Sequence, residues 1–286
     1  MRALVSGAVA GALAASTLRL LRHRPPGGAT TWDRTNHAGR TVTLLEGPAY
    51  AVGAAGASAL LGAGPGPVVA AAASAGLGAL DDLAGDSDSK GLKGHLGALA
   101  RGQVTTGAVK ILGLGVTGLV SAALIDRAGV SDGAWVTDRA HAGGGSRPRG
   151  IPGAIDTLVG GAVIAGTANL LNLLDLRPGR ALKATILLGA LTATSPGSAA
   201  AAGAATGAAI GLLRPDLAGE AMLGDTGANS AGALLGAALV QRAGRRGRLV
   251  ALAALTALTL ASERVSFTRV IESTPGLREL DALGRR

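Results

Sequence analysis

The sequence contains no cysteine, and aromatic residues make up only 1% of its 286 positions. The absence of cysteine excludes disulfide bridges and thiolate metal sites. Charged residues are scarce at 16%, whereas a soluble domain usually carries about 25%. Because this shortage extends along the whole chain, it favours a membrane protein, although the lack of Trp and Tyr leaves the span boundaries poorly marked.

The residues that are abundant are small and apolar. Hydrophobic residues make up 48% of the chain, and the mean hydropathy is +0.40. Small side chains let helices approach closely in lipid and would also permit two protomers to pack as a homodimer. The net charge of +9 comes from short basic clusters without interleaved aromatics. This pattern favours topology signals and contacts with membrane lipid over nucleic-acid binding.

The distribution of apolar residues predicts an all-α, polytopic transmembrane helix bundle of about nine spans (eight to ten), forming a single integral membrane domain over residues 1–286. Several segments are shorter than the roughly 20 residues of a typical span, so those from 181 onward could be re-entrant. The first segment resembles a signal peptide, but the arginines that follow it favour a retained span. The segments are about 1–21, 47–63, 67–84, 104–125, 151–174, 181–195, 197–213, 227–241 and 247–262.

Basic residues predict the orientation of this bundle. If every segment crosses the membrane, one side carries about twice as many Lys and Arg as the other, and this side should be cytoplasmic. It includes the tail at 263–286, whereas the Gly/Ser/Arg/Pro-rich stretch 126–150 is predicted to be an extracytoplasmic loop. Arg242, Arg245, Arg246 and Arg248 fall on the outer side and oppose the scheme. The chain is thus predicted to be a multi-pass protein of the cell membrane.

Three polar clusters interrupt the apolar pattern, all on the predicted cytoplasmic side, and the first is Asp81-Asp82 at the end of the third segment. Adjacent carboxylates repel each other and are easiest to keep ionised beside a cation such as Mg²⁺, which prefers oxygen ligands and substrate phosphates. Taken alone, the pair is more often an ordinary solvated helix end, where Asp is common.

The second cluster contains Asn169, Asn172 and Asp175, spaced so that all three lie along one side of a helix. Such amides could bind a sugar, a pyrophosphate or metal-bound water, or they could simply join two helices. In the third cluster, glycines flank Asp225 at the start of a helix, where phosphate binds favourably. Here the alternative is that Asp225 only caps the helix.

Taken in order, these motifs resemble the polyprenyl-phosphate N-acetylhexosamine-1-phosphate transferases. These integral membrane enzymes make the first lipid-linked intermediates of envelope polymers such as peptidoglycan. The double Asp, the N-x-x-N-x-x-D run and M-x-G-D-x-G occur in the family's order. The stretch 36–48 (NHAGRTVTLLEGP) resembles the family's first cytoplasmic loop and contains His37. The resemblance covers roughly residues 30–262.

The resemblance implies Mg²⁺-dependent transfer of a sugar-1-phosphate from a UDP-sugar to polyprenyl phosphate, with release of UMP; Mn²⁺ could replace Mg²⁺. It places Asp81 and Asp82 at the reacting phosphates. Asp225 would be the principal metal ligand, with Asp82 as a second. Lys110, within an apolar segment, would neutralise phosphate, or else extend its amine to the membrane interface. Contacts with substrate or metal-bound water are assigned to Asn169, Asn172, Asp175, His37 and Lys93.

Two departures from the family's pattern concern nucleotide-sugar recognition. After Asp175 the family continues D-G-x-D-G-L-A, whereas this chain has Arg177 and Arg180 and lacks one acidic position. The C-terminal tail also lacks the family's histidine cluster. A third departure is the longer stretch 87–106, whose Lys90, Lys93 and His95 could bind phosphate or lie in a solvated loop.

These departures keep two other functions open. A non-catalytic relative would bind polyprenyl phosphate, or assemble with envelope proteins, without releasing a nucleotide. A small transporter would use Asp81 or Lys110 as an intramembrane charge.

Overall fold

The protein, in a computed structural model, is a bundle of helices with one short β-hairpin. The structure describes residues 1–36, 39–84, 102, 105–131 and 151–285. The hairpin strands are β1 (Asp33–Thr35) and β2 (Thr41–Thr43). The helices of the described residues are α1 (Arg2–His23), α2 (Ala29–Trp32), α3 (Glu46–Leu60), α4 (Pro65–Ala84), α5 (Thr106–Ser131), α6 (Ile151–Leu174), α7 (Arg180–Thr192), α8 (Ala199–Leu217), α9 (Gly224–Arg242), α10 (Arg245–Ser262), α11 (Phe267–Ser273) and α12 (Leu277–Ala282).

Each of the nine predicted apolar segments contains one of these helices, and the all-helical fold class is confirmed. Among the described residues, α1, α4, α5 and α6 are long and apolar enough to cross a membrane. A fifth span results if α10 and α11, which meet at a bend of 94°, are counted together. Helices α3 and α7 have only 15 and 13 residues, whereas a span needs about 20. Length and composition therefore support four or five spans, fewer than the predicted nine.

Helix α9 lies at the centre of the bundle, in contact with α3, α4, α6, α7 and α8. Every residue from 226 to 238 is buried, and most of them are Gly, Ala or Ser. Small residues allow this burial because the neighbouring backbones can come within contact distance. At Gly232, for example, an added Cβ would overlap the backbone of Thr167 and Ala168 on α6. The central position of α9 fixes its N-terminus, where Asp225 lies.

Helices α1 and α8 pack with their backbones in direct contact. An added Cβ at Gly207 would collide with the carbonyl oxygen of Gly7. An added Cβ at Gly211 would lie only 2.5 Å from the carbonyl oxygen of Gly11. The hydroxyl of Ser6 donates to the carbonyl of Ala200 at 2.7 Å. The first helix is therefore packed against α8 within the bundle.

A buried ion pair joins four helices at the end of the bundle away from Asp225. Arg248 of α10 is 2% exposed and donates to Asp126 of α5 at 2.8 Å. Asp126 also accepts from Thr157 of α6 at 2.7 Å, and Arg248 donates to the carbonyl of Val240 of α9. Helix α5 thus extends into the stretch 126–150 that was predicted as a loop.

Candidate functional site

The polar residues of the sequence motifs meet where α4 and α6 end and α9 begins, which we call the site end of the bundle. Gly78 of α4 contacts the carbonyl oxygen of Asp225 so closely that a Cβ could not fit between them. This contact places Asp81 and Asp82, one turn later on α4, beside the first turn of α9. The proximity of two motifs separated by more than a hundred residues therefore depends on a glycine.

Asp82 caps the N-terminus of α9. Its Oδ1 accepts from the backbone N–H of Asp225 at 2.9 Å. Its Oδ2 accepts from the N–H of Thr226 at 2.9 Å and from the Thr226 hydroxyl at 2.6 Å. Unpaired N–H groups and a partial positive charge occupy the first turn of a helix, so a carboxylate there is stabilising. Asp82 therefore positions α9, and Asp225 itself does not act as the cap.

Lys110 lies between two of the predicted site carboxylates. Its Nζ is 2.7 Å from Oδ2 of Asp81 and also makes a short contact with Oδ2 of Asp225. The side chains of Lys110, Asp81 and Asp225 are 21%, 19% and 20% exposed, so a ligand could reach all three. The ammonium group compensates two carboxylates that would otherwise repel each other.

Asn172 completes this arrangement from α6. Its Nδ2 donates to Oδ1 of Asp225 at 2.7 Å and to Oδ1 of Asn229 at 3.3 Å. Asn169, one turn earlier, instead donates to the hydroxyl of Thr259 on α10 at 3.4 Å. The structure thus brings together Asp81, Asp82, Lys110, Asn172 and Asp225, which we call the polar cluster, and it directs Asn169 elsewhere.

Asp175 follows α6 and borders a neighbouring cavity of about 250 Å³. Its side chain is buried, and Oδ2 has no hydrogen-bond partner among the described residues. Burial raises the pKa of Asp175 well above its usual value, and the charge of Asp216 acts in the same direction. The cavity walls include Thr35 and Val42 of the hairpin, Leu176 to Pro178, and Met222. This cavity could accept a polar group of a ligand whose phosphates lie at the polar cluster.

The β-hairpin connects the cavity to the polar cluster. Strand β2 reaches the segment before α9, where Thr43 exchanges backbone hydrogen bonds with Glu220 (3.2 Å) and Met222 (3.1 Å). Arg34 of β1 donates to the carbonyl of Asp82 at 2.5 Å and to that of Asp33 at 2.8 Å. The stretch that was compared with the family's first cytoplasmic loop therefore lies beside the site.

Two residues beside the site had no predicted role, and two of the predicted site residues lie outside the part of the chain that the structure describes. Arg34 was missed because a single Arg in a polar stretch carries no pattern. Asn229 was part of the third motif but had no predicted role, although it is fully buried with its Nδ2 unpartnered among the described residues. His37 and Lys93 lie outside the described residues, as do Lys90 and His95.

A metal ion could reach Asp81 and Asp225 by displacing the Lys110 ammonium group that they share, whereas both oxygens of Asp82 accept from the first turn of α9. Within the described ranges, no group of three or more His, Asp or Glu side chains is arranged to hold a metal. Mg²⁺ usually takes one or two carboxylates, together with waters and substrate phosphates. The donor set fits such a site, shared with a phosphate ligand.

The capping role of Asp82 predicts a specific loss of stability. In Asp82→Asn only one side-chain oxygen remains to accept from the α9 amides, which should cost about 1 kcal/mol. We expect the thermal midpoint in detergent to fall by about 2–4 °C. Asp81→Asn is the matched control because Asp81 makes no contact with the α9 amides. An equal loss in both variants would contradict the capping role.

Comparison with known proteins gives no match: no protein-family model matches the chain, and no curated protein matches it either. The polar cluster is therefore the observation from which a function can be proposed. Its composition, three carboxylates with one ammonium group and one amide, suits ligands that carry phosphate and a divalent cation.

Proposed function

We propose that the protein is a membrane phosphoglycosyltransferase that transfers a sugar-1-phosphate from a UDP-sugar to a polyprenyl phosphate. The observation that carries this proposal is the convergence of Asp81, Lys110, Asn172 and Asp225. Asp81, Asn172 and Asp225 come from three separate motifs that occur in the order found in polyprenyl-phosphate N-acetylhexosamine-1-phosphate transferases, and Lys110 lies on α5 between the first two. Their convergence on one accessible point supports a shared chemical role.

In the proposed reaction, an oxygen of the lipid phosphate attacks the β-phosphorus of the UDP-sugar. The bond from that phosphorus to the bridging oxygen breaks, and UMP leaves with the bonding electrons. Lys110 would move from its carboxylate partners to the phosphates and neutralise their charge. Asp81 would accept a proton from the lipid phosphate if that phosphate arrives protonated. Such a reaction depends mainly on positioning and charge stabilisation.

Mg²⁺, or Mn²⁺ in its place, would supply charge neutralisation at the transferred phosphoryl group. Asp225 would be its principal ligand, and Asp81 would serve better than Asp82 as a second. Asn172 holds Asp225 in place through the bond to Oδ1. Asp82 keeps the first turn of α9 at the correct position relative to α4.

We place the protein in the cell membrane as a multi-pass bundle with the site end facing the cytoplasm. The four or five clear spans support membrane insertion, and the excess of Lys and Arg on the loops at the site end supports this orientation. In this arrangement the UDP-sugar arrives from the cytoplasm, while the lipid phosphate enters laterally from the membrane. A total of about nine spans requires the shorter helices to cross as well.

A second candidate is a non-catalytic protein that binds polyprenyl phosphate. The ion pairs of Lys110 with Asp81 and Asp225 favour this alternative, because they already engage the ammonium group of the polar cluster without any ligand. Arg177 and Arg180, which follow Asp175 where the family continues D-G-x-D-G-L-A, also favour this alternative. Such a protein would bind the lipid phosphate and release no nucleotide.

The deciding assay measures UMP release by the purified protein in detergent with Mg²⁺, undecaprenyl phosphate and a panel of UDP-sugars. We expect release that requires both the lipid phosphate and the divalent cation. Binding of the lipid phosphate without release from any UDP-sugar would overturn the transferase proposal in favour of the non-catalytic one.

Two asparagines on α6 provide a matched pair for this assay. Asn172→Leu removes the amide that holds Asp225, and we expect UMP release to fall by about 10–100-fold, as for other residues that orient metal ligands. Asn169→Leu changes the same residue type one turn away, where the amide contacts Thr259, and should keep activity close to wild type. Equal losses in both variants would show that the loss arises from helix packing.

A further inference from the structure

The C-terminal tail folds back onto the loop that follows Asp175. Arg180, at the start of α7, makes two parallel hydrogen bonds to Asp281 of α12, from Nε to Oδ1 at 2.8 Å and from Nη2 to Oδ2 at 2.9 Å. Its Nη1 donates to the hydroxyl of Thr268 of α11 at 2.9 Å. The side chains of Arg180 and Asp281 are only 5% and 7% exposed. A paired, planar contact of this kind is geometrically specific.

Further polar contacts surround this ion pair. Lys183 donates to the backbone carbonyls of Leu280, Asp281 and Leu283 at distances between 2.6 and 3.0 Å. Arg285 donates to the carbonyl of Pro178 at 2.8 Å and contacts Asp281 at 2.7 Å. In contrast, α11 buries no residue and α12 buries only Asp281. The tail is thus held by charged and polar contacts, with little apolar burial.

The same loop is attached on its other side to α8. The backbone N–H of Gly179 donates to Oδ1 of Asp216 at 2.6 Å, and Gly179 has a φ of +74° that favours glycine. Between Asp175 and Gly179, the residues Leu176 to Pro178 form one wall of the cavity. The position of that wall is therefore set by Asp216 from one direction and by the tail from the other.

We propose that residues 267–285 form a tail clasp that positions the cavity wall for the nucleotide-sugar, with Arg180 and Asp281 as its positioning residues. The choice of a nucleotide-sugar as the ligand rests on the proposed transferase function. The positioning of the cavity wall by the tail rests on the contacts alone. Two departures from the family's pattern meet in this contact, because Arg180 is one of the arginines after Asp175 and Asp281 belongs to the histidine-free tail. The clasp sets the affinity for the nucleotide-sugar without touching the reacting phosphates.

The mechanical part is tested by hydrogen–deuterium exchange on the full-length protein in detergent, without ligand. Asp281→Asn leaves Arg180 buried without a compensating charge, and we expect backbone amides in 176–183 to exchange on the order of tenfold faster. Glu279→Gln is the matched control on the same helix. It removes the charge of an exposed pair with Arg278, and Gln can still cap α12. Exchange rates that are the same in both variants would overturn the clasp.

A milder variant covers the case in which Asp281→Asn fails to fold. Arg285→Gln removes one partner of Asp281 and the contact with Pro178, while the Arg180 pair remains. We expect the same segment to exchange faster by a smaller factor, about threefold, with the rest of the bundle unchanged. Unchanged exchange at 176–183 in this variant would also overturn the clasp.

Kinetics separate positioning from simple support of the fold. In Asp281→Asn, the KM for the UDP-sugar should rise at least about fivefold, while kcat and the KM for lipid phosphate stay within about twofold, as expected for lost ground-state binding. Equal effects on both substrates would overturn the positioning role. If exchange responds but even the wild type releases no UMP, the transferase proposal fails and the tail clasp stands.

Discussion

Asp225→Asn is expected to lower UMP release by about 10²–10³-fold or more, the range seen when a key charge-stabilising group is lost. Asp225 is the one member of the polar cluster that contacts both Lys110 and Asn172, through its two separate oxygens. The substitution keeps the shape of the side chain but removes its charge. It therefore removes the proposed principal metal ligand, and Lys110 keeps only Asp81 as a charged partner. We expect the thermal midpoint in detergent to change little by comparison.

Asp156→Asn is the control for this experiment. Asp156 lies on α6 at the end opposite the site and pairs with Arg245 at 3.3 Å, so it belongs to the same helix bundle but lies away from the polar cluster. We expect this variant to release UMP at a rate close to the wild type. Full activity in Asp225→Asn would mean that the reaction does not use the polar cluster at all, and the proposed mechanism would have to be abandoned.

Gly78→Ala is expected to destabilise the bundle by about 1–3 kcal/mol or more, the range for overpacking a close contact. The added Cβ would overlap the carbonyl group of Asp225, so α9 would have to move away from α4. That movement would also separate Asp82 from the amides that it caps. We therefore expect a lower thermal midpoint together with a large loss of UMP release.

Gly76→Ala, two residues earlier on α4, is the control, and it is expected to change the stability in the opposite direction. A Cβ at Gly76 would meet no other atom within 4 Å. Alanine is more favourable than glycine in a helix by about 0.5–1 kcal/mol, so this variant should be neutral or slightly stabilised. The pair is measured by thermal unfolding in the same detergent. Similar midpoints for both alanine variants would exclude a tight α4–α9 contact at Gly78.

The sequence predicted the helices well because each is an apolar run bounded by polar residues or glycine. Such an apolar run is absent from the hairpin strands and from α11 and α12, which are short and mix apolar with polar residues. The number of spans was harder to predict. The central helix α9 is surrounded by other helices and consists mainly of small residues. In sequence, a helix buried in this way has the same apolar pattern as a helix that contacts lipid.

The members of the polar cluster were predicted, but their contacts with one another were not. Asp82 was expected to bind metal, whereas its two oxygens accept from residues that lie more than a hundred positions away. Such pairing depends on how α4 and α9 pack, which a single sequence does not specify. Likewise, the spacing of Asn169 and Asn172 places both on one side of α6, but α10 engages the first and α9 the second.

The hydrogen bonds of Asp82 also affect how this protein can evolve. The residue that anchors α9 is the direct neighbour of Asp81, so the scaffold and the proposed chemistry share one dipeptide. A mutation at Asp82 would shift Asp225 and Thr226 together, because it removes the acceptor for two backbone donors at once. Lineages that exchange the sugar specificity are therefore expected to vary the hairpin and the tail, while the contact between α4 and α9 stays fixed.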